Sequence, residues 1–167
     1  MNYSDMINKP FNQSLPMMLH GVLDKIMPAY RQLFTRFGVT EQQWRVLRVL
    51  WESGALSSIE ISRKTLLAQN SLVGVLERLE KKGLIQRMRS VEDRRHVFAT
   101  LTSSGKALGS QVMPELAKIH ENIDSRLTAE EWQQFTYLMN RLGQPHAASP
   151  YAEDTPDTPP IQETSHG

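Results

Sequence analysis

The sequence predicts a mainly α-helical fold that carries one small β-hairpin. Six segments repeat apolar residues at the three- and four-residue spacing of an amphipathic helix. Three of them begin with a capping box, in which a hydroxyl side chain and a Glu or Gln three residues later satisfy each other's backbone donors. Two short β-compatible stretches, residues 84–88 and 97–101, flank a polar, arginine-rich segment and predict the hairpin.

The first two predicted helices precede Gly54. The first extends from Pro16, a proline suited to the first helical turn, to about Arg36, and Pro28 inside it predicts a kink. The second spans residues 41–53 and begins at the capping box Thr40–Gln43.

A short helix and a longer one follow. Residues 58–64, after the capping box Ser57–Glu60, form the short third helix. The fourth helix, residues 69–82, ends at Gly83, and Ser71 is a looser capping residue near its start. The hairpin comes directly after it. A short helix, a tight connection, a second helix and an arginine-tipped hairpin form a winged helix-turn-helix.

Two further helices complete the apolar pattern. The fifth follows Thr102, and the sixth spans residues 129–142 after the capping box Thr128–Glu131. The first, fifth and sixth helices exceed what a winged helix needs for its core, so their apolar faces predict a symmetric second copy of the chain. The sequence thus predicts three regions. Residues 1–38 and 103–143 form the dimerisation helices, residues 39–102 form a winged helix-turn-helix domain, and residues 144–167 form a tail.

The C-terminal segment has a different composition. Residues 143–167 hold five of the nine prolines and four acidic residues, with no Lys or Arg. Such a segment cannot bury enough apolar surface to offset the entropy of ordering it. We expect residues 144–167 to be a disordered, acidic, proline-rich tail.

Composition also excludes several classes of protein. The 167 residues include no cysteine, which excludes a disulfide scaffold, a zinc ribbon and a thiol nucleophile or redox sensor. No apolar run approaches the roughly 18–20 residues of a membrane helix, and no export signal is evident, so we expect a cytoplasmic protein without a membrane partner. The five histidines lack metal-ligand spacing, and no phosphate-binding loop, zinc-protease motif or serine-hydrolase elbow is complete. We expect no enzyme, metal or cofactor.

The net charge of +1 conceals one strongly basic block. Residues 63–106 carry ten basic and four acidic side chains, a net charge of +6, and six of the ten are arginines. A basic block inside a near-neutral chain is typical of a surface that binds a polyanion. The alternative is an ordinary solvated face, but the arginine content and the position over the predicted winged helix favour nucleic acid.

Three segments of the chain carry recognisable motifs. They are VTEQQWRVLRVL at 39–50, LERLEKKGLIQR at 76–87 and EDRRHVFATLTSSGKAL at 92–108. Their L-E-x-x-G-L-I, D-x-R and L-T-x-x-G patterns together resemble the MarR family of bacterial transcriptional regulators. The EQQWR of the second helix most resembles the branch that represses homoprotocatechuate (4-hydroxyphenylacetate) catabolism. The resemblance implies a homodimeric repressor that binds double-stranded operator DNA and is released by a small aromatic or phenolic acid.

The resemblance also implies that the fourth helix enters the major groove. The outward face near its N-terminus suits that role and contains Gln69, Asn70, Ser71, Val73 and Gly74. Gln and Asn can bond an adenine edge, Val can contact a thymine methyl, and Gly would permit close approach. The polar residues could instead form an ordinary helix cap. No arginine lies at the helix start, so guanine recognition there is not obvious.

Charged residues around the hairpin complete the expected DNA surface. In the family pattern Asp93 braces the wing, and Arg95 occupies the position of an arginine that enters the minor groove, where A·T-rich tracts are most negative. Arg94 beside it is assigned to a phosphate. The flanking cations expected at phosphates are Lys81, Lys82, Arg87 and Arg89, and Arg78 of the fourth helix is a further expected DNA contact. Ser57 and Ser58 start the third helix and offer backbone donors to a phosphate.

The family resemblance further implies an effector site between the dimerisation helices and the DNA-binding lobe. The candidate residues lie on the first two helices: Met18, His20, Met27, Trp44, Arg45, Arg48 and Trp51. An aromatic carboxylate needs an apolar slot and one cation, which Arg45 beside Trp44 offers. The alternatives are a surface ion pair with Glu41 for Arg45, a surface position for His20 and plain core positions for the tryptophans.

Two other functions compete with an effector-controlled repressor. A ligand-independent, DNA-architectural winged-helix protein would show little sequence preference beyond A·T content. A protein-interaction adaptor would lack the strongly salt-dependent DNA affinity that counterion release gives to a phosphate-binding surface.

Overall fold

A computed structural model describes residues 10–89 and 97–144 of the chain. After a short 3-10 turn at Phe11–Gln13, its helices are α1 (Leu15–Arg36), α2 (Glu41–Ser53), α3 (Ser58–Thr65), α4 (Gln69–Lys81), α5 (Ser103–Asp124) and α6 (Ala129–Leu142). Its strands are β1 (Leu56–Ser57), β2 (Ile85–Arg89) and β3 (Val97–Leu101). The predicted order of helices and hairpin is confirmed. The chain divides into two compact units between Arg126 and Leu127.

The capping residues set where three helices begin. At α2, Thr40 Oγ1 accepts from the Gln43 backbone N–H over 3.2 Å, and Gln43 Oε1 accepts from the Thr40 N–H over 3.1 Å. Ser57–Glu60 and Thr128–Glu131 form the same reciprocal pair, so the three capping boxes are confirmed.

The looser cap predicted at Ser71 is wrong. Helix α4 begins at Gln69 and its N-cap is Ala68, whose side chain cannot accept a hydrogen bond. The backbone of Ala68 is extended, with φ −61° and ψ 143°, and its carbonyl accepts the first helical hydrogen bond, from the Leu72 N–H over 2.9 Å. Ser71 therefore lies inside the first turn.

The hairpin of β2 and β3 belongs to a three-stranded antiparallel sheet with the order β1–β3–β2, in which β3 is the central strand. Ile85 of β2 lies opposite Leu101 of β3, while Leu56 of β1 pairs with Ala99 on the other edge of β3. The mainly α winged-helix fold is confirmed, with one strand more than predicted. A two-residue strand is too short to show the alternation of side chains by which a strand is recognised.

One apolar core contains side chains from each of the first five helices and from the sheet. Its almost fully buried apolar side chains come from α2, α3, α4, β2 and α5: Val46, Ile61, Leu72, Val75, Leu79, Ile85 and Val112. Because α4 buries the face that carries Leu72 and Leu79, its opposite face is left to solvent.

Glycines on α5 permit two close approaches. A Cβ atom on Gly105 would lie only 2.1 Å from the carbonyl oxygen of Leu84, next to β2. A Cβ atom on Gly109 would lie 2.5 Å from the six-membered ring of Trp51. The indole of Trp51 therefore packs directly against the backbone of α5.

Large apolar side chains remain exposed on α1 and, in the other unit, on α6. They are Leu15, Met18, Val22 and Leu23 on α1, and Phe135, Tyr137, Leu138 and Leu142 on α6. Exposed apolar patches of this kind mark interaction surfaces. None of the described helices is long and apolar enough to cross a membrane.

Candidate nucleic-acid interface and adjoining cavity

The outward face of α4 carries the side chains predicted to contact bases. Gln69, Asn70, Ser71 and Val73 are exposed, and Val73 exposes 52% of its surface although it is apolar. Asn70 Oδ1 accepts a hydrogen bond from the Ser71 backbone N–H over 2.8 Å. This contact uses only the acceptor of the amide, so both NH₂ donors of Asn70 remain available.

Arg78 reaches back over Gly74 on the same helix. A Cβ atom on Gly74 would lie 3.3 Å from Nη1 of Arg78, so the guanidinium covers the glycine. The Arg78 side chain makes no hydrogen bond or ion pair within residues 10–89 and 97–144.

Two of the cations predicted at phosphates instead bind protein groups. The Lys82 ammonium donates to the Gly38 carbonyl over 2.6 Å and to Gln43 Oε1 over 3.0 Å. Arg87 Nε donates to Glu80 Oε2 over 2.7 Å, and this ion pair holds the pKa of the Glu80 carboxyl below its ordinary value. The first contact connects the residue after α4 to α2 and the turn before it, and the second connects β2 to α4.

Two other cations of the same group have no such partner. Lys81 on α4 and Arg89 at the end of β2 are exposed, and neither side chain makes a hydrogen bond or ion pair in the part of the chain that the structure describes. Both side chains are therefore available to a polyanion.

The start of α3 already holds a carboxylate. Glu60 Oε2 accepts from the Ser57 hydroxyl over 2.7 Å and from the Ser57 backbone N–H over 2.8 Å. These bonds, with Arg63 and Lys64 nearby, lower the pKa of Glu60. A carboxylate on Ser57 competes with an incoming phosphate, which leaves Ser58 as the less occupied of the two predicted donors.

Asp93, Arg94 and Arg95, predicted at the tip of the wing, lie outside the described residues. So does the predicted acidic tail, apart from residue 144.

A cavity of about 570 Å³ lies between α1, α2, the end of α3 and α5. Four of the predicted effector residues line it: Met27, Trp44, Arg45 and Arg48. The other three lie elsewhere, with Met18 and His20 exposed on α1 and Trp51 packed against Gly109.

Aromatic side chains form one side of the cavity. The Trp44 ring stacks on Phe34 at a centroid distance of 5.6 Å, and Tyr30 lies 6.3 Å from Phe34 and 5.8 Å from the His120 ring. Burial, and to a smaller extent the charge of Asp124, raises the pKa of the Tyr30 phenol, so its hydroxyl remains a hydrogen-bond donor. An aromatic ring can stack in this slot.

Sequence reasoning missed several residues of the cavity. Tyr30, Phe34, Met113, Leu116 and His120 line it in addition to the predicted set. A signal for them existed, since Tyr30 and Phe34 follow Met27 at three and seven residues, and His120 follows Leu116 and Met113 at four and seven residues. Only the packing of α1 against α5 brings these two rows together.

Both arginines of the cavity have acidic partners. Arg45 Nη2 lies 2.5 Å from Glu41 Oε1, which is the surface ion pair offered above as the alternative for Arg45. Its Nη1 also donates to the Thr65 carbonyl at the end of α3, over 3.4 Å. Arg48 Nε lies 2.6 Å from Glu52 Oε1. The cavity thus offers two guanidinium groups beside an aromatic slot.

The described residues contain no group of three His, Asp or Glu side chains that could hold a metal ion.

The arrangement has relatives among known proteins. The MarR family model matches residues 39–97. The homoprotocatechuate degradative operon repressor of Escherichia coli is 31% identical over 131 residues, which cover 78% of this chain and 88% of that protein. The structure of NadR in complex with 4-hydroxyphenylacetate is similar with a TM-score of 0.70 at 28% identity, covering 83% of this chain and 99% of that one.

A third relative is BpsR of Bordetella bronchiseptica, a protein whose DNA binding is regulated by 6-hydroxynicotinic acid. Its structure gives a TM-score of 0.75 at 25% identity, with 83% of this chain and 99% of that chain covered. Fold, motifs and relatives agree. The chain belongs to the MarR family of transcriptional regulators.

Proposed function

We propose that this protein is a homodimeric, DNA-binding transcriptional repressor that a small hydroxylated aromatic acid releases from its operator. The observation that carries the proposal is the cavity in which the aromatic rings of Tyr30, Phe34 and Trp44 lie beside the guanidinium groups of Arg45 and Arg48. The relatives support it: one is an operon repressor, NadR binds 4-hydroxyphenylacetate, and 6-hydroxynicotinic acid regulates DNA binding by BpsR.

The DNA surface combines α4 with the wing. Helix α4 enters the major groove with Gln69, Asn70 and Val73 toward the base edges. The wing follows the backbone to the flanking minor groove, where Arg95 is the inserted residue and Asp93 and Arg94 support it. Exposed Lys81 and Arg89 serve phosphates, which position the protein without specifying sequence.

A second copy of the chain covers the exposed apolar side chains of α1 and α6. Two-fold symmetry then presents two copies of α4 to a pseudo-palindromic operator, with half-sites separated by about one helical turn, roughly 10 base pairs. Stable monomers at micromolar concentration in sedimentation experiments would overturn this part of the proposal.

Arg45 connects the cavity to the helix-turn-helix. Its guanidinium bridges Glu41 and the Thr65 carbonyl, and Leu66 after Thr65 has a left-handed backbone with φ +57°. Leu66 also lines the cavity and exposes 87% of its surface. A bound carboxylate competes with Glu41 and Thr65 for Arg45, and so changes the connection between α3 and α4 that sets the position of α4.

The effector acts only through its preference for the state that does not bind DNA. A tenfold release from the operator requires about 1.4 kcal/mol of differential affinity between the two states. One charge-assisted hydrogen bond that forms only in that state, about 1.5–3 kcal/mol, is enough to meet this requirement.

The experiment has two stages. Sites selected from a random DNA library give the operator, and 4-hydroxyphenylacetate is then titrated against the protein alone, by thermal shift, and against the protein–operator complex. The control ligand is 4-hydroxyphenylethanol, which keeps the phenol and lacks the carboxylate. We expect the acid to bind and release DNA, and the alcohol to do neither.

Two results would contradict the proposal in different ways. If no aromatic acid binds below millimolar concentration, the protein is a DNA-binding regulator without this kind of effector. If selection yields only A·T content, the ligand-independent architectural protein is the better description.

A further inference from the structure

Gly74 lies in the interior of α4, and the guanidinium of Arg78, one turn later in the same helix, lies against it. Glycine lowers the stability of a helix interior relative to alanine, because its backbone has more freedom to lose. Here the backbone does not need glycine, since Gly74 is not among the residues with positive φ. The three atoms nearest to a Cβ built at this position, all within 4 Å, belong to the Arg78 guanidinium. The absent side chain therefore makes room for a guanidinium rather than for the core.

The position of Gly74 on α4 makes this contact informative. At about 100° per residue, Asn70, Gly74 and Lys81 lie nearly opposite the centre of the buried face. The Cα atom of Arg78 lies toward one flank of that outward face. Its side chain leans toward the N-terminus of the helix, as long side chains on helices do, and so brings the charge over Gly74 at the middle of the face.

The guanidinium of Arg78 also has no protein partner among the described residues. Arg45, Arg48 and Arg87 each form an ion pair with a carboxylate. Arg78 forms none with any residue that the structure describes. All of its donors are therefore available for a ligand that lies against the outward face of α4.

We propose that Arg78 recognises a guanine in the major groove, with two parallel hydrogen bonds from its guanidinium to O6 and N7, and that Gly74 provides the space for it. This inference rests on the proposed function, since it requires that α4 lies in the major groove. A planar fork of donors matches the guanine edge, and this pairing is the commonest specific contact between proteins and DNA. In a symmetric dimer, each half-site contains one such guanine.

The competing role for Arg78 is a phosphate contact, and substitution by lysine separates the two. A lysine keeps the charge that a phosphate needs but lacks the bidentate fork. We expect wild-type protein to select a guanine at one fixed position of each half-site. In Arg78→Lys the preference for that guanine falls about 5- to 150-fold, while the other positions and the salt dependence of binding stay unchanged.

Gly74→Ala supplies a second, independent readout. The new Cβ forces the guanidinium to shift by a few tenths of an ångström, and alanine strengthens the helix. We expect a higher melting temperature together with a weaker preference at the same guanine position. A purely structural role for the pair predicts no change in the selected sequence. Arg63→Lys on α3 is the control, because the same exchange there leaves every selected position unchanged.

Two outcomes overturn the inference and can be told apart. If Arg78→Lys selects the same sites as wild type while Arg78→Met loses affinity for every sequence and has a weaker salt dependence, Arg78 contacts a phosphate. If the wild type itself selects no sequence, the proposed function and this inference both fail.

Discussion

The ammonium group of Lys82 lies 2.6 Å from the carbonyl oxygen of Gly38 and ties the end of α4 to the turn between α1 and α2. The same ammonium donates to Gln43, a buried glutamine with 2% of its surface exposed, whose side chain also takes part in the capping box of α2. This contact fixes the position of α4, the helix that we propose enters the major groove, relative to α2.

We predict that Lys81→Ala and Lys82→Ala change DNA binding in different ways. Lys81 is exposed and has no partner among the described residues, so its loss reduces the slope of log K against log salt by about 0.9. Lys82 is bound to Gly38 and Gln43, so its loss leaves the slope unchanged and lowers the free energy of unfolding by about 0.5–1.5 kcal/mol.

The two lysines are adjacent and chemically identical, so each variant is the control for the other. Fluorescence anisotropy over a series of salt concentrations gives the slope, and denaturant titration gives the stability. Equal loss of slope in both variants would show that Lys82 leaves Gly38 and contacts a phosphate, as the sequence alone predicted.

We predict that Glu80→Gln reduces the dependence of stability on acidic pH. The Arg87 guanidinium lowers the pKa of Glu80 below its ordinary value of 4.5 in the folded protein. The pair therefore stabilises the fold fully above that ordinary value, and the contribution disappears as the pH falls through the lowered pKa. Melting temperatures between pH 7 and pH 3 should decrease more steeply in wild type than in Glu80→Gln.

The size of this pH effect is limited, because the pKa values of Glu60 and Glu115 are lowered in the same direction and remain in the variant. Glu130→Gln, an exposed carboxylate on α6, is the control. If Glu80→Gln and wild type lose stability in parallel below pH 5, the ion pair does not persist in solution.

The helices were predictable because each carries its own signals. Capping residues such as Thr40 and Thr128 mark where α2 and α6 begin, and these signals depend only on neighbouring residues. The partners of the charged side chains were not predictable. Lys82 meets Gly38 across 44 residues of sequence, and Arg45 meets Thr65 across 20, so only the packed structure shows which cations are committed to the protein.

We predict that Arg45→Met lowers the affinity for 4-hydroxyphenylacetate by about 10- to 150-fold. This factor corresponds to the loss of one charge-assisted hydrogen bond, which is about 1.5–3 kcal/mol. Operator binding without the acid should weaken as well, because the variant also loses the contact of Arg45 with the Thr65 carbonyl, next to the connection that sets the position of α4. Calorimetric titration measures the first quantity, and operator binding with and without the acid measures the second.

Arg36→Met is the matched control for this variant. Arg36 is an arginine of α1 whose ion-pair partner is Glu115, and it does not line the cavity. Equal affinity for the acid in Arg45→Met and Arg36→Met would move the carboxylate away from Arg45, and Arg48 would then be the next residue to test.

We predict that Gly105→Ala destabilises the protein by about 1–3 kcal/mol, a typical result of overpacking. The new Cβ would lie 2.1 Å from the backbone oxygen of Leu84 and 3.2 Å from Cδ2 of Leu101, and a backbone atom cannot move aside as a flexible side chain does. Helix α5 must then shift from the sheet. Ser104→Ala, one residue earlier and exposed, should change stability by less than about 0.5 kcal/mol. Denaturant unfolding compares the two, and equal stability would show that α5 does not pack this closely.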